Sequence, residues 1–215
     1  SHAHSDHLHG LPFFAPIQHP AQKVEIYGPG GGELPLREVL FRQMTPPLWP
    51  AYYIEAARRL SVTQITADEF RTDYFMVRST QLRHPGRTLG FSISTSASGP
   101  TVNYLTDNEL EDWTGQLEWQ AGLVGFLQNS AVLIHDATWT DAETPDKIGW
   151  GHSSASQAVD LAIAAGVRRL VLFHHAPDRS DEEVDRLLAG ARRRVAEHGA
   201  TLMVDAAAEG LSLDV

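Results

Sequence analysis

The sequence predicts an α/β fold with mixed sheets. Short apolar segments rich in β-branched and aromatic residues alternate along the chain with longer segments of helical period. Polar residues, several of them histidines, follow these apolar segments, and layered α/β folds place their chemistry at such strand ends. Because strands and helices alternate, we expect one layered α/β domain over residues 1–215.

The predicted strands are segments rich in β-branched and aromatic residues, and each is flanked on both sides by turn residues. In chain order they cover residues 23–27, 62–65, 74–82, 88–94, 101–105, 131–134, 168–173, 201–204 and 211–213. Residues 96–100 supply a turn, so the segments on either side of it are expected to pair.

The predicted helices cover residues 34–44, 51–60, 116–129, 153–165 and 180–197. In the first of them, Leu36, Val39, Leu40 and Met44 fall on one face. The second follows a proline-rich break, so an irregular segment is the alternative there. The last is the best marked, because Ser180 is a candidate N-cap, acidic residues fill its first turn and arginines stand near its end.

Composition narrows the possible classes of function. Of the 215 residues, 42 % are hydrophobic and 20 % are charged, which is ordinary for a globular protein, and no apolar run is long enough to cross a membrane. The formal net charge of −10 disfavours nucleic acid as a partner. Cysteine is absent, which excludes disulfides and thiolate metal sites. We expect a cytoplasmic protein without a membrane partner.

The first ten residues, SHAHSDHLHG, concentrate histidines around one aspartate. Side chains at i and i+2 of an extended segment point the same way, so His2 and His4 are expected to bind one metal ion together. If the chain then turns, Asp6 and His7 face a second ion. Imidazole and carboxylate suit Zn²⁺, and also Mn²⁺ or Fe²⁺. A fortuitous, tag-like histidine cluster is the alternative, and the spacing argues against it.

The order H-x-H-x-D-H, together with partners along nearly the whole chain, resembles the metallo-β-lactamase fold family of binuclear metallohydrolases. Within that family the ribonuclease Z-like, cyclic-phosphate and cyclic-nucleotide phosphodiesterase branches look most similar. The resemblance implies a four-layer αββα sandwich with two metal ions at one edge. In that family several strands precede this motif, so we expect the domain to be N-terminally incomplete in this chain.

The resemblance also implies a set of seven metal ligands. One ion would be held by His2, His4 and His84, the other by Asp6, His7 and His174, and Asp107 would bridge them. His174 and His175 are adjacent and point to opposite sides of an extended chain, so only one of them can be a ligand. His174 is preferred because it directly follows the apolar strand.

Two further motifs resemble the ribonuclease Z-like branch. Residues 135–138, HDAT, resemble its H-E-A-T motif with aspartate in place of glutamate, and residues 151–154, GHSS, resemble its H-S-T loop. By that resemblance His152 protonates the leaving oxygen and Asp136 orients His152. The alternative is that His135 and His152 only anchor loops.

Two more residues have roles implied near the metal ions. Asp6 would orient the attacking water or accept its proton. Arg179, just past the last ligand, would clamp a phosphate bidentately, with a salt bridge at the helix entry as the alternative.

These features predict a hydrolase with two divalent ions that cleaves a small cyclic or linear phosphodiester by means of a metal-bridging hydroxide. The alternatives are a tRNA 3′-processing endoribonuclease, a lactonase or thioesterase of the same fold, and a non-catalytic sensor module. The endoribonuclease needs a basic arm to hold RNA, and residues 8–83 contain no lysine-rich, glycine-rich segment of that kind. A homodimer is left as an alternative to a monomer.

Overall fold

In the computed structural model, which describes residues 1–42, 44–110 and 117–215, the chain divides into two units that each have a hydrophobic core. The N-terminal unit comprises Ser1–Ala67 and Gly86–Leu89. The C-terminal unit comprises Asp68–Pro85 and Gly90–Val215.

The N-terminal unit packs short helices around two parallel strands. Its elements are α1 (Ser5–Leu8), α2 (Ala15–Gln18), β1 (Glu25–Gly28), α3 (Leu36–Arg42), α4 (Ala51–Arg58) and β2 (Ser61–Gln64). Strand β1 pairs in parallel with β2, and the side chains of Ile17, Met44 and Leu60 are buried among those of the helices. The amide of Leu36 donates to Oε1 of Gln64 at 2.9 Å, which fixes the start of α3 on the end of β2.

The C-terminal unit is built on a seven-stranded sheet in which the strands lie side by side in chain order. They are β3 (Glu69–Arg71), β4 (Met76–Gln81), β5 (Leu89–Ser94), β6 (Val102–Leu105), β7 (Val132–Asp136), β8 (Arg169–Phe173) and β9 (Met203–Ala206). Strands β3 and β4 are antiparallel, as are β5 and β6, whereas β6 to β9 are all parallel. The carboxyl ends of these four parallel strands therefore share one edge of the sheet.

Three helices of the described C-terminal unit are α5 (Leu117–Leu127), α6 (Ala155–Ala164) and α7 (Asp181–Glu197). Helix α6 connects β7 to β8 and α7 connects β8 to β9, as parallel neighbours require. Both begin in a capping box, with Ser154 and Gln157 at α6 and Ser180 and Glu183 at α7. Leu133 is completely buried on β7 in the core that these helices share with the sheet. The strand ends are thus held on a well-packed base.

The predicted α/β class with mixed sheets is confirmed, as are the pairing of β5 with β6 and the N-cap at Ser180. Residues 51–60 contain a helix rather than an irregular segment. The strand predicted at residues 211–213 is wrong, because that part of the chain follows a turn at Gly210 and joins no ladder. Strand β3 was not predicted. Gln43 and Gln116, which fall in predicted helices, lie outside the described residues.

Among the helices of the described residues, none has both the length and the apolar character needed to cross a bilayer.

Candidate active site

The histidines of the first ten residues cluster within the N-terminal unit. The backbone is extended at His4, which precedes α1, and the ring of His2 lies 4.4 Å from that of His4 and 4.3 Å from that of His7, measured between centroids. Asp6 and His7 lie on α1, with Oδ2 of Asp6 3.2 Å from Nε2 of His7. The extended path and the turn expected from the spacing are both present. His9 is exposed.

Three other predicted ligands come together in the C-terminal unit. Asp107 follows β6, His174 directly follows β8, and His84 lies in the loop after β4. Oδ1 of the buried Asp107 is 3.4 Å from Nε2 of His174, and its Oδ2 is 3.7 Å from Nε2 of His84. Each oxygen of one carboxylate therefore faces a different imidazole.

Hydrogen bonds fix which nitrogen of each imidazole faces Asp107. Nδ1 of His84 donates to the carbonyl oxygen of Gly151 at 2.9 Å, so this nitrogen carries a hydrogen. Nδ1 of His174 lies 2.9 Å from the hydroxyl of Thr138, which directs its own hydrogen toward Oδ1 of Asp136 or the carbonyl of His174. In the neutral rings, Nε2 then presents a lone pair toward Asp107. Metal-binding histidines are oriented in this way.

The backbone is unusual at two of these residues. Asp107 has a φ of 54° and His174 a φ of 59°, in the left-handed region that few residues other than glycine adopt. Both stand at the end of a parallel strand, where the chain must turn sharply to present the side chain at the sheet edge. Such conformations are strained and persist only where the surrounding packing maintains them. They concentrate at functional sites.

A second pair of side chains, Asp136 and His152, lies beside this cluster. Asp136 is the completely buried last residue of β7, and its Oδ2 accepts from Nδ1 of His152 at 2.7 Å. The ring of His152 stacks on that of His174 with centroids 4.9 Å apart and approaches that of His84 at 5.0 Å. The structure thus brings the predicted acid and its orienting carboxylate together, and the shorter aspartate reaches the imidazole without difficulty.

The surroundings of His152 favour its protonated form. Burial acts to lower the pKa of His152, but the hydrogen bond to Asp136 and the charge of that carboxylate outweigh burial and raise the pKa above its usual value. The carboxylates of Asp107 and Glu109 act in the same direction. Since Nδ1 is engaged with Asp136, Nε2 is the nitrogen from which a proton can be given away.

Glu109 is a residue of the site that was not predicted from the sequence. Its buried carboxylate accepts from the amide of Gly149 through Oε1 and from the amide of Gly151 through Oε2, both at 2.7 Å. The carbonyl of Gly151 in turn orients His84, and His152 is the next residue along the chain. Glu109 therefore fixes the loop that carries both. Its only sequence signal is its place in the polar run after β6.

The structure gives His135 an anchoring position. Its Nδ1 donates to the carbonyl of Asp136 at 2.7 Å, and its Nε2 accepts from the amide of Asn108 at 3.1 Å. Burial lowers the pKa of His135 and keeps the ring neutral near pH 7. The side-chain oxygen of Asn108 accepts from the amide of Arg83, the neighbour of His84. His135 thus supports the ligand loop.

A phosphate clamp was predicted for Arg179, with a salt bridge as the alternative. In the structure its guanidinium binds residues of the loop after β7. Its Nη2 donates to Oε2 of Glu143 at 2.9 Å and to the carbonyl of Thr138 at 3.1 Å, and only 7 % of the side chain is exposed. Burial acts to raise the pKa of Glu143, but hydrogen bonds from Thr140 and Arg179 lower it overall. The salt-bridge alternative describes Arg179 better, with Glu143 as its partner.

His175 differs from its neighbour. It is half-buried, burial lowers its pKa, and it belongs to none of the groups in the described residues whose side chains could share a metal ion. His174, in contrast, lies in such a group with Asp136 and His152, and His84 in another with Asp107 and His152. The geometry thus favours His174 over His175 as a ligand.

Comparison with known proteins gives concordant results. Residues 1–175 match the family model described as a beta-lactamase superfamily domain. The ribonuclease Z of Oceanobacillus iheyensis is 23 % identical over 238 residues, covering 90 % of this chain and 75 % of that protein. The metallo-beta-lactamase fold protein YhfI from Bacillus subtilis, 18 % identical, superposes with a TM-score of 0.68 over 100 % of this chain and 75 % of its own.

Human tRNase Z, short form, is 24 % identical and superposes with a TM-score of 0.63, covering 100 % of this chain and 78 % of its own. At these identities the two structural likenesses establish the fold, and the metallo-β-lactamase-like fold predicted from the motifs is confirmed.

The contact between Gly151 and His84 leads to a prediction with a matched control. Gly149 and Gly151 have φ values of 86° and 89°, so alanine is strained to the same degree at both, by about 1 kcal/mol. A methyl group at position 151 would overlap Nδ1 of His84, whereas at position 149 it meets nothing within 4 Å. We expect Gly151→Ala to lose a further ~1–3 kcal/mol in urea unfolding.

The same change should disturb the His84 ring, which ¹⁵N NMR of the histidine side chains reports through the Nδ1–H tautomer. Gly149→Ala should leave that signal unchanged. Equal losses of stability in the two variants, with an unchanged His84 signal, would contradict the positioning of His84 by this loop.

Proposed function

Because this chain belongs to the beta-lactamase superfamily, whose members are metal-dependent hydrolases, we propose that it cleaves a small cyclic or linear phosphodiester with two divalent metal ions. The observation that carries this proposal is the hydrogen-bonded pair of Asp136 and His152 beside His84, Asp107 and His174. A thioesterase of this fold, which expels a stable thiolate, has no need of an added proton donor there, and the lactonase alternative is tested with a lactone below.

The proposed metal ligands are the seven residues of the motif: His2, His4 and His84 for one ion, Asp6, His7 and His174 for the other, and Asp107 for both. Their fit is supported within each unit by the paired side chains of the first ten residues and by the two Nε2 atoms that face Asp107. Nitrogen and carboxylate oxygen suit Zn²⁺ best, with Mn²⁺ or Fe²⁺ as alternatives.

When bound, a pair of such ions lowers the pKa of a water molecule toward about 7 and neutralises negative charge at the reacting phosphorus. The chain's own residues supply the proton transfers. Asp6 orients the attacking water or accepts its proton. His152, held protonated by Asp136, gives its Nε2 proton to the leaving oxygen, which departs poorly as an alkoxide near pH 7.

A second candidate is a tRNA 3′-processing endoribonuclease. It is favoured by the similarity to ribonuclease Z of Oceanobacillus iheyensis and to the short form of human tRNase Z. The net charge of −10 and the absence of a basic arm in residues 8–83 count against it. We therefore place the small phosphodiester first.

A panel of substrates separates these candidates. Bis-p-nitrophenyl phosphate, a cyclic nucleotide, a lactone and a precursor tRNA should be assayed with and without a chelator. We expect turnover of the phosphodiesters that the chelator abolishes and that added Zn²⁺ or Mn²⁺ restores. Cleavage of the precursor tRNA at its 3′ end would select the second candidate, and turnover of the lactone alone would overturn the proposal.

The proposed ligand set predicts different metal contents for two neighbouring variants. His4 is a proposed ligand, whereas the exposed His9 of the same segment is not. We expect His4→Ala to retain about one ion per chain or fewer and His9→Ala to retain about two, because a binuclear centre of this kind holds two ions. Metal analysis after dialysis measures this. Equal metal contents in the two variants would refute the assignment of His4.

The proposed proton donor can be tested through the leaving group. We expect His152→Ala to slow cleavage of a cyclic nucleotide, which expels an alkoxide, by about 10²–10⁴-fold. Cleavage of bis-p-nitrophenyl phosphate, which expels a stable phenolate, should fall much less, and metal content should not change. If both substrates slow equally and metal is lost, His152 has a structural role instead.

A further inference from the structure

Two tryptophans continue the side-chain cluster outward from His152. The ring of Trp139, three residues after Asp136, lies 6.0 Å from that of His152 at an angle of 83°. Trp150, two residues before His152, lies 6.1 Å from Trp139 at 82°. Trp139 is half-buried, whereas Trp150 is 56 % exposed. The exposed indole thus stands one ring away from the proposed proton donor, within the C-terminal unit.

A cation accompanies these rings. Nζ of Lys147 lies 4.0 Å from the centroid of Trp150 and 5.0 Å from that of Trp139. A cation over an aromatic face is attracted to the ring, even at an exposed site. Beside an exposed indole it also supplies positive charge on a chain whose net charge is −10. A flat aromatic group attached to a phosphate would meet both a stacking surface and a counter-charge here.

The backbone that carries Trp150 is held on both sides. The amides of Gly149 and Gly151 donate to the buried carboxylate of Glu109, and the amide of Trp150 donates to the carbonyl of Lys147 at 3.1 Å. An exposed side chain on a fixed backbone is pre-organised, so a ligand that stacks on it loses little free energy to ordering.

We propose that Trp150, with Lys147 and Trp139, is the binding surface for a nucleobase on the leaving group of the substrate. This rests on the proposed phosphodiesterase function and names its substrate class as a nucleoside phosphodiester. His152 gives its proton to the leaving oxygen, so the group nearest this aromatic surface is the one that departs. Every nucleobase has a flat face that stacks on an indole, so the surface accepts different bases.

Binding to the product class tests the proposal independently of catalysis. Adenosine 5′-monophosphate and ribose 5-phosphate carry the same phosphate and differ in the base. By isothermal titration calorimetry we expect Trp150→Ala to weaken binding of adenosine 5′-monophosphate by about tenfold, since stacking on an aromatic side chain contributes ~1–3 kcal/mol per base. Binding of ribose 5-phosphate should not change, and Trp150→Phe should recover most of the loss.

Ile148→Ala is the matched control, because Ile148 is an apolar side chain of the same loop with 55 % exposure. It should bind both phosphates like the wild type. An equal loss for the two phosphates in Trp150→Ala, or the same loss in Ile148→Ala, would overturn the proposal. Circular dichroism melting of each variant identifies any that fails to fold, and Trp150→Phe then decides.

Kinetics separate a failure of this proposal from a failure of the proposed function. The substrates are an adenosine phosphodiester and its analogue without the base. If the wild type cleaves neither, the phosphodiesterase function fails, while the titrations still test the surface. If it cleaves both, kcat/KM of Trp150→Ala should fall about tenfold for the adenosine ester alone. A uniform fall for both esters would refute the base-binding role.

Discussion

The carboxylate of Asp136 is the group on which the organisation of the C-terminal unit depends. It is completely buried, and a buried charge is costly unless several donors satisfy it. The amides of Asn108, Thr138 and Ser153 point at its two oxygens, together with Nδ1 of His152. These donors come from the ends of β6 and β7 and from the start of α6, so a single acceptor fixes three separate turns.

The cost of gathering these groups is visible in the backbone. Asp107 and His174 adopt left-handed conformations just after β6 and β8, which lie on either side of β7 in the parallel part of the sheet. A hydroxyl links His174 to Asp136: that of Thr138 lies 2.9 Å from both Oδ1 of Asp136 and Nδ1 of His174. Strained turns persist because the sheet and the hydrogen bonds to Asp136 leave the chain no easier path.

Much of this arrangement was predictable because parallel strands place their following residues at one edge. Asp107 and His174 each follow a short apolar run, so their convergence needed only the correct assignment of the strands. The first motif was recognised from its H-x-H-x-D-H spacing together with its resemblance to a known family. The strand predicted at 211–213 was wrong because alternating apolar residues do not specify a pairing partner.

The role of Glu109 and the partner of Arg179 were not predictable, because each depends on residues far along the chain; a salt bridge was one of the two roles expected for Arg179. Glu109 binds amides some forty residues away, and its role requires that Gly149 and Gly151 expose their N–H groups to a buried carboxylate. Backbone donors leave no trace in sequence. Arg179 had a suitable position for binding phosphate, but the loop after β7 supplies Glu143 as its partner. No local sequence pattern predicts this pairing.

The loop from Lys147 to His152 carries both the proposed proton donor and the proposed base-binding surface. Through the carbonyl of Gly151 it sets the tautomer of His84, and through His152 it presents the proposed proton donor, which Asp136 holds. The exposed ring of Trp150 lies on the same few residues, which Glu109 fixes. A leaving group that stacks on this ring, as proposed, would be positioned by the same backbone that positions the proposed proton donor. A displacement of this backbone would therefore shift the stacking surface and the proposed proton donor together, whereas a change of the Trp150 side chain alone alters only the surface.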